Sequence, residues 1–327
     1  MYSVAYALAT VIPGPTTTTE SWSTKTAMPA TRRYHTQSKL NDGKVLVTGG
    51  QVGGVYSTDV QSYDPSTNAW TTKTAMPATR YRHGQTTLND GTVLVAGGLV
   101  ASSASADVRS YDPSTNAWTT KTAMPATRYH HGQSTLSDGK VLVTGGIVSG
   151  ATSADVRSYD PSTNAWTSKT AMPATRHYPG QSTLNDGTVL VTGGVVSGVT
   201  SADVQSYDPS TNAWTTKTAL PLTNRLHSQS TLSDGKVLVT GGIDAGGVSV
   251  DVNSYDPATN AWTAKTALPV GRYHSGQTTL DDGKVLVVAG VVGTTSADVQ
   301  LYQPVITTPG AAGRAALLGY LATAAGV

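Results

Sequence analysis

Residues 131–173 read HGQSTLSDGKVLVTGGIVSGATSADVRSYDPSTNAWTSKTAMP, and closely related stretches recur along most of the chain. The tryptophan marks the period, because consecutive tryptophans are always 48 residues apart. All six belong to the pattern: Trp22, Trp70, Trp118, Trp166, Trp214 and Trp262. Internal repeats of about 20 to 50 residues are typical of solenoids and propellers. The period therefore predicts a repeat architecture.

One copy of the repeat contains four short strands, predicted at 131–136, 140–146, 155–160 and 166–172. Asp138-Gly139 favours a tight hairpin between the first two, because glycine adopts positive φ at little cost. The second strand carries Val141-Leu142-Val143, which is apolar on both faces as expected of a strand between packed sheets. Four antiparallel strands of this kind make one propeller blade, so the fold class is all-β.

The ends of the repeat array predict how the ring closes. A lone fourth-strand sequence stands at 21–28, and a lone third strand stands at 298–303. Together they complete blade six, so an N-terminal strand closes the ring and protects a sheet edge that would otherwise pair with other chains.

Several short motifs carry a family resemblance. They are Gly-Gly after the second strand, Tyr-Asp-Pro after the third, Asn-x-Trp before the fourth, and Met-Pro-x-x-Arg-x-x-His at the junction to the next copy. The chain resembles kelch-repeat β-propellers, and its repeat sequence is similar to that of bacterial kelch repeats related to the galactose oxidase propeller. The resemblance implies a six-bladed kelch-type propeller over residues 18–304, with apolar tails at 1–17 and 305–327. It also implies binding of proteins or sugars.

Composition excludes several functions. The chain has no cysteine, which excludes disulfides, thiolate metal sites and the tyrosine–cysteine copper centre of galactose oxidase. A net charge of +2 with scattered basic residues argues against a nucleic-acid partner. No phosphate-binding loop or nucleophile motif occurs. We therefore expect no catalytic residue, no metal and no cofactor, and we predict that the protein is not an enzyme.

Three sets of polar residues recur at equivalent positions. We interpret the histidines as hydrogen-bonded at the start of strand one, because equivalent residues of blades about 10 Å apart do not easily share one zinc ion. We interpret the glutamines as partners of buried backbone groups, with a line toward the channel as the alternative. We interpret the arginines as links between adjacent blades, with a part in ligand binding as the alternative. The sets are His35, His83, His131 and His227; Gln37, Gln85, Gln133, Gln181, Gln229 and Gln277; and Arg32, Arg80, Arg128, Arg176 and Arg272, with Asn224 in place of the sixth arginine.

One face of the propeller varies between copies. In an antiparallel blade the 2-3 and 4-1 loops share a face, and both change along the chain, whereas the Asp-Gly and Asp-Pro turns of the other face are nearly constant. Tyrosine, arginine and histidine recur in the 4-1 junctions and are residue types enriched in binding sites. The predicted ligand-binding residues are Arg33, Tyr34, Tyr81, Arg82, Tyr129, His130, His177, Tyr178, Arg225, Tyr273 and His274. The alternative explanation for this variation is sequence drift on a surface that binds no ligand.

The function predicted from these features is non-catalytic binding and display. The leading hypothesis is a decoration, adhesion or receptor-binding subunit on a virion or cell surface, which binds a glycan or protein and assembles as a homo-oligomer or larger assembly through its tails. The alternative is a soluble monomeric lectin-like or protein-interaction module. Both tails fall short of the about 20 apolar residues of a membrane helix, so no membrane span is predicted.

Overall fold

The computed structural model describes residues 16–17, 19–305 and 307–308. These divide into a propeller, Trp22–Tyr302, and a second unit in which strand Thr16–Thr17 pairs with strand Thr307–Thr308. The docking and assembly roles predicted for the tails concern residues that lie mostly outside this part of the chain. Across the described ranges, no helix is long and apolar enough to span a membrane.

Six four-stranded antiparallel sheets form the blades, as predicted. From the innermost strand outward, blade one contains Thr36–Lys39, Val45–Thr48, Val60–Asp64 and Ala69–Thr72. Blade two contains Gly84–Thr87, Val93–Ala96, Val108–Asp112 and Ala117–Lys121. Blade three contains Gly132–Thr135, Val141–Thr144, Val156–Asp160 and Ala165–Lys169. Blade four contains Gly180–Thr183, Val189–Thr192, Val204–Asp208 and Ala213–Lys217. Blade five contains Ser228–Thr231, Val237–Thr240, Val252–Asp256 and Ala261–Ala264. Blade six contains Gly276–Thr279, Val285–Val292, Thr294–Gln303 and Ser21–Lys25.

Ring closure follows the prediction. Strand Ser21–Lys25 is the outer strand of blade six and neighbours Thr294–Gln303. The innermost strands are neighbours all the way round, and Gly276–Thr279 lies beside Thr36–Lys39 of blade one. The innermost strands therefore surround a central channel.

The hydrophobic core lies between blades rather than within one. A representative cluster joins Leu46 and Val60 of blade one to Val93, Val95 and Tyr111 of blade two. The second strand is buried on both faces in every blade, which explains its continuous apolar sequence.

Each tryptophan joins its blade to the preceding one. In blade two, the Trp118 indole Nε1 donates to Thr74 O of blade one at 2.9 Å, and its ring lies 5.0 Å from the Tyr111 ring. Asn116 beside it accepts hydrogen bonds from the Tyr111 hydroxyl and from the Thr74 amide. The repeated Tyr-Asp-Pro and Asn-x-Trp motifs therefore lock neighbouring blades together.

Short strands cover the variable face, and the sequence did not predict them. In blades one to four the 4-1 junction pairs with the 2-3 hairpin in a three-stranded sheet. In blade five the two hairpin strands pair, and Arg225 of the junction is joined to Ile243 by an isolated bridge. The short strands are Arg32–Arg33, Gln51–Val52 and Val55–Tyr56 in blade one, and Arg80–Tyr81, Leu99–Val100 and Ser103–Ala104 in blade two. They are Arg128–Tyr129, Ile147–Val148 and Ala151–Thr152 in blade three, and Arg176–His177, Val195–Val196 and Val199–Thr200 in blade four. Blade five has Ile243–Asp244 and Gly247–Val248.

Candidate functional site

The second residue of each 4-1 junction pair lines the mouth of the central channel. We call these six residues the mouth ring: Tyr34, Arg82, His130, Tyr178, Leu226 and His274. They lie at the same position of successive repeats and surround a cavity of about 130 Å³. The structure thus brings five of the predicted ligand-binding residues together at one point.

A shared backbone conformation positions the mouth ring. All six residues have a left-handed backbone, with φ between 55° for His274 and 61° for Leu226. The Arg82 amide donates to Tyr34 O at 3.0 Å, the His130 amide to Arg82 O at 3.1 Å, and equivalent bonds occur at Tyr178 and His274. A left-handed conformation costs a non-glycine residue about 1–2 kcal/mol, and these four hydrogen bonds between repeats offset part of that cost. The backbone turn is constant while its side chain varies.

Tyr34 and Arg82 form one side of the mouth. The Arg82 guanidinium lies 4.7 Å from the centre of the Tyr34 ring, and the Arg33 guanidinium lies 4.9 Å from it. The His274 ring meets the Tyr34 ring edge-on at 4.3 Å. Cation–π contacts of this kind hold a guanidinium in place while leaving its N–H groups available to a ligand.

His130 and Tyr178 form the other side. Their ring centres are 3.8 Å apart, and the Tyr178 ring lies 6.3 Å from the His274 ring. Burial lowers the pKa of His130, and Arg82 lowers it further. Burial, followed by Arg82 and Arg33, lowers the pKa of His274 to about 3. Both imidazoles are therefore neutral at ordinary pH.

The mouth is positively charged. Arg82 is the one arginine or lysine that lines the cavity, and within the part of the chain that the structure describes no carboxylate lines it. Arg33 and Arg225 lie close enough to act on His274. Because the histidines are neutral, arginine supplies the charge at this site.

The first residues of the junction pairs lie outside the mouth in the short strands or their bridges: Arg33, Tyr81, Tyr129, His177, Arg225 and Tyr273. Arg33 Nε donates to Gln51 Oε1 at 2.5 Å. His177 Nδ1 is 3.3 Å from the Thr152 hydroxyl. The Arg33 and His177 side chains therefore already have partners within their own blades.

Tyr81 is covered by another tyrosine. The Tyr56 ring stacks on it with centres 3.8 Å apart and an interplanar angle of 2°, and Tyr81 is only 5% exposed. Burial raises the pKa of Tyr81 to about 12. Tyr56 is 38% exposed, so Tyr56 presents the aromatic surface that the sequence assigned to Tyr81. The signal was available, since Tyr56 stands in the variable 2-3 loop.

The recurrent histidines lie one layer below the mouth ring and are buried. His83 Nε2 contacts the hydroxyls of Thr36 at 2.6 Å and Thr48 at 2.9 Å, and His227 Nε2 contacts the Thr192 hydroxyl at 2.8 Å. For these two residues the predicted hydrogen-bonding role is confirmed. In the described ranges, no group of three histidine or acidic residues is arranged to hold a metal ion.

The glutamines form the next layer, below the histidines, and their hydrogen bonds link neighbouring blades. Gln85 Nε2 donates to Leu46 O of the preceding blade at 3.0 Å, while its Oε1 accepts from the Thr48 hydroxyl at 2.5 Å. The other five also donate to the equivalent leucine carbonyl: Gln37, Gln133, Gln181, Gln229 and Gln277. The structural role is confirmed, and the same residues line the deeper channel.

The arginine set acts differently from the prediction. The Arg128 guanidinium bonds Gly145 O at 2.6 Å and the Asp155 carboxylate, both in its own blade. Its backbone carbonyl accepts from the Gly98 amide of the preceding blade at 2.7 Å. The side chain therefore fastens the junction within one blade, and the main chain alone links two blades.

Comparison with known families supports the fold. A kelch motif model matches residues 32–77, and a model described as the KLHDC2/KLHL20/DRC7 kelch-repeats domain matches residues 71–223. The chain is a kelch-repeat β-propeller. A solved kelch-type structure, titled "Structure of YjhT", superposes with a TM-score of 0.70 at 16% identity and covers 86% of this chain and 99% of its own. Comparison with curated protein sequences finds no match.

For this kelch propeller the family indicates a coarse function, which is binding, most often of proteins. At 16% identity the structural similarity extends to the fold alone. The choice of ligand therefore has to be argued from the mouth ring and the face around it.

Proposed function

We propose that this protein is a non-catalytic binding module that recognises a glycan or protein ligand on the variable face, centred on the mouth ring. The observation that carries the proposal is the convergence of Tyr34, Arg82 and Tyr178 on one cavity in an otherwise repetitive ring. Aromatic faces with polar edges suit sugar rings and protein side chains, and arginine and tyrosine are enriched in binding hot spots.

The size of the cavity supports recognition of a tip rather than of a whole ligand. At about 130 Å³ it is smaller than the roughly 300–1,000 Å³ of pockets that enclose drug-sized molecules. A single side chain or a terminal sugar inserts at the mouth, and the rest of the ligand lies across the short strands around it. Tyr56 and Arg33 are placed to meet that outer part.

The charge of the mouth supports a hydrogen-bond acceptor or an anionic group as the inserted tip. Arg82 offers N–H donors there, and His130 and His274 as neutral imidazoles each offer one donor and one acceptor. In the part of the chain that the structure describes, no pair of carboxylates that could act as general acid and base lines the cavity. This composition favours binding over catalysis.

The finer role we propose is display on a virion or cell surface, as a decoration, adhesion or receptor-binding subunit attached through the apolar tails. Six related blades presenting one face suit a repetitive ligand, since linked weak sites gain avidity of roughly 10² to 10⁴. The alternative is a soluble monomeric lectin-like or protein-interaction module. Measurement of the mass in solution separates them, because the first requires an oligomer that disappears on truncation at Pro304.

The experiment that tests the site replaces Arg82 and Tyr178 with leucine, the residue found at the equivalent Leu226. Leu226 shows that the left-handed turn accommodates leucine, so the variant should fold. A ligand is first selected on a glycan array and by pull-down. We expect the double variant to bind it at least about tenfold more weakly, because loss of hot-spot residues costs more than about 1.4 kcal/mol.

The matched control lies on the constant face. Ser114→Ala with Thr115→Ala changes the Asp-Pro turn of blade two and should leave binding unchanged. If the constant-face variant weakens binding and the mouth variant does not, the binding side is wrongly assigned.

A further inference from the structure

Repeat five lacks the buried arginine of the other five repeats. In blade four, Arg176 donates to Gly193 O at 2.6 Å and Asp203 O at 3.1 Å, and its second nitrogen pairs with the Asp203 carboxylate. In blade five Asn224 takes the place of the arginine and keeps one of these bonds, from Nδ2 to Gly241 O at 2.7 Å. The acidic partner is retained as Asp251. The three groups that bind the guanidinium in blade four therefore have counterparts in blade five, namely Gly241 O, Asp251 O and the Asp251 carboxylate.

The consequence is an exposed carboxylate beside a buried amide. Among residues the structure describes, no lysine or arginine pairs with Asp251, whereas the equivalent aspartates are paired and their side chains are 28–32% exposed. Asp251 itself is exposed. Asn224 is only 8% exposed, and its Oδ1 is buried without a hydrogen bond. We call Asn224, Gly241 and Asp251 the blade-five notch.

Arg225, the next residue, does not fill the notch. Among the described residues it forms no ion pair with Asp251, and its charge instead lowers the pKa of His177 and of His274. The notch thus carries a net negative charge, although the mouth close to it is positive.

Exposed apolar residues stand next to the notch residues in the sequence of the same repeat. Leu222 is 51% exposed where blade four has Ala174, and Val250 is 41% exposed where blade four has Ala202. Val248 on the adjoining hairpin is 47% exposed. Repeat five therefore combines loss of the arginine with gain of exposed apolar side chains at neighbouring positions.

We propose that the blade-five notch binds an arginine side chain of a partner protein, presented by a segment with apolar residues on either side of it. Five sibling blades show the same oxygen atoms binding a guanidinium, whose planar fork matches carboxylate and carbonyl acceptors better than an ammonium does. The exposed Leu222 and Val250, which stand close to Asn224 and Asp251 in the sequence, receive the flanking residues. This site is separate from the mouth ring and stands or falls independently of it.

The test uses the peptide acetyl-Val-Arg-Leu-amide, titrated into the full-length protein by isothermal calorimetry. We expect saturable binding that weakens at least tenfold when citrulline, which keeps the shape and loses the charge, replaces arginine. Asn224→Arg should weaken binding at least tenfold because its own guanidinium occupies the notch, and its melting temperature should not fall. Asp251→Asn should weaken binding to a similar extent.

The control is Asp244→Asn, which removes a negative charge from the same blade outside the notch and should leave binding within twofold. Equal binding by wild type and Asn224→Arg would overturn the proposal, and so would equal losses in Asp244→Asn and Asp251→Asn. If Asn224→Arg fails to fold, the two aspartate variants still decide. If calcium chloride raises the melting temperature and the peptide does not bind, the notch is a site for an inorganic cation and the proposal is wrong.

Discussion

Replacing Ala96 with threonine should stabilise the propeller, because it supplies a hydroxyl that other blades already have. At the equivalent position of blade four, the Thr192 hydroxyl lies 2.8 Å from His227 Nε2 and 2.5 Å from Gln229 Oε1. Ala96 has no hydroxyl to offer His131 and Gln133. Their Nε2 and Oε1 atoms are buried without a hydrogen bond of normal geometry.

The local geometry favours a fit. Ala96 of the second strand is paired with Gly84 of the innermost strand, as Thr192 is paired with Gly180 in blade four. Threonine at 96 therefore meets an environment that the fold already accommodates at Thr192, two repeats later in the chain.

The magnitude follows from the hydrogen bonds gained. An intramolecular hydrogen bond contributes about 0.5–1.5 kcal/mol net, and the hydroxyl bridges two buried atoms. Part of this gain is offset by fixing the threonine rotamer, which leaves about 1–2 kcal/mol in the free energy of unfolding. For a unit of this size that corresponds to a rise of roughly 2–4 °C in melting temperature.

The assay is urea denaturation with calorimetry on Ala96→Thr, Ala96→Val and wild type. Valine has nearly the volume of threonine without its hydroxyl, and the natural Val288 shows that valine fits the equivalent position in blade six. We expect the threonine variant to gain stability and the valine variant to gain none. Equal stability of the two variants would refute the hydrogen-bond argument.

Two further predictions concern pH and ring closure. Burial lowers the pKa of His35 and His131 to about 3 and that of His227 to about 4, below the value of about 6.5 in the unfolded chain. The unfolded state therefore binds more protons below pH 6.5, so stability should fall from that pH downward, by up to about 1.4 kcal/mol per pH unit for each histidine; a melting temperature unchanged between pH 7 and pH 5 would contradict this. Deleting residues 1–28 removes Trp22, whose Nε1 donates to Thr266 O at 2.9 Å, and should cause early melting or aggregation, whereas deleting residues 1–14 should leave the propeller intact; equal damage from both deletions would rule out the closure argument.

The blades, their strand order and the closing strand were predictable because each depends on local sequence and on the 48-residue period. The Asp42-Gly43 turn illustrates this, since glycine at φ 81° and the bond from the Lys44 amide to Asp42 Oδ1 involve only adjacent residues. Sequence comparison between repeats also located the variable face and the break in the arginine set at Asn224.

The arrangement of the site was not predictable from those patterns. Whether Arg33 or Tyr34 faces the mouth depends on a left-handed turn held by hydrogen bonds between repeats, and the covering of Tyr81 by Tyr56 depends on how two loops pack. The partnership of Thr48 with His83 joins residues 35 positions apart in different blades. Residue type and spacing report local geometry, whereas these contacts form only when six blades close around one axis and bring equivalent positions together.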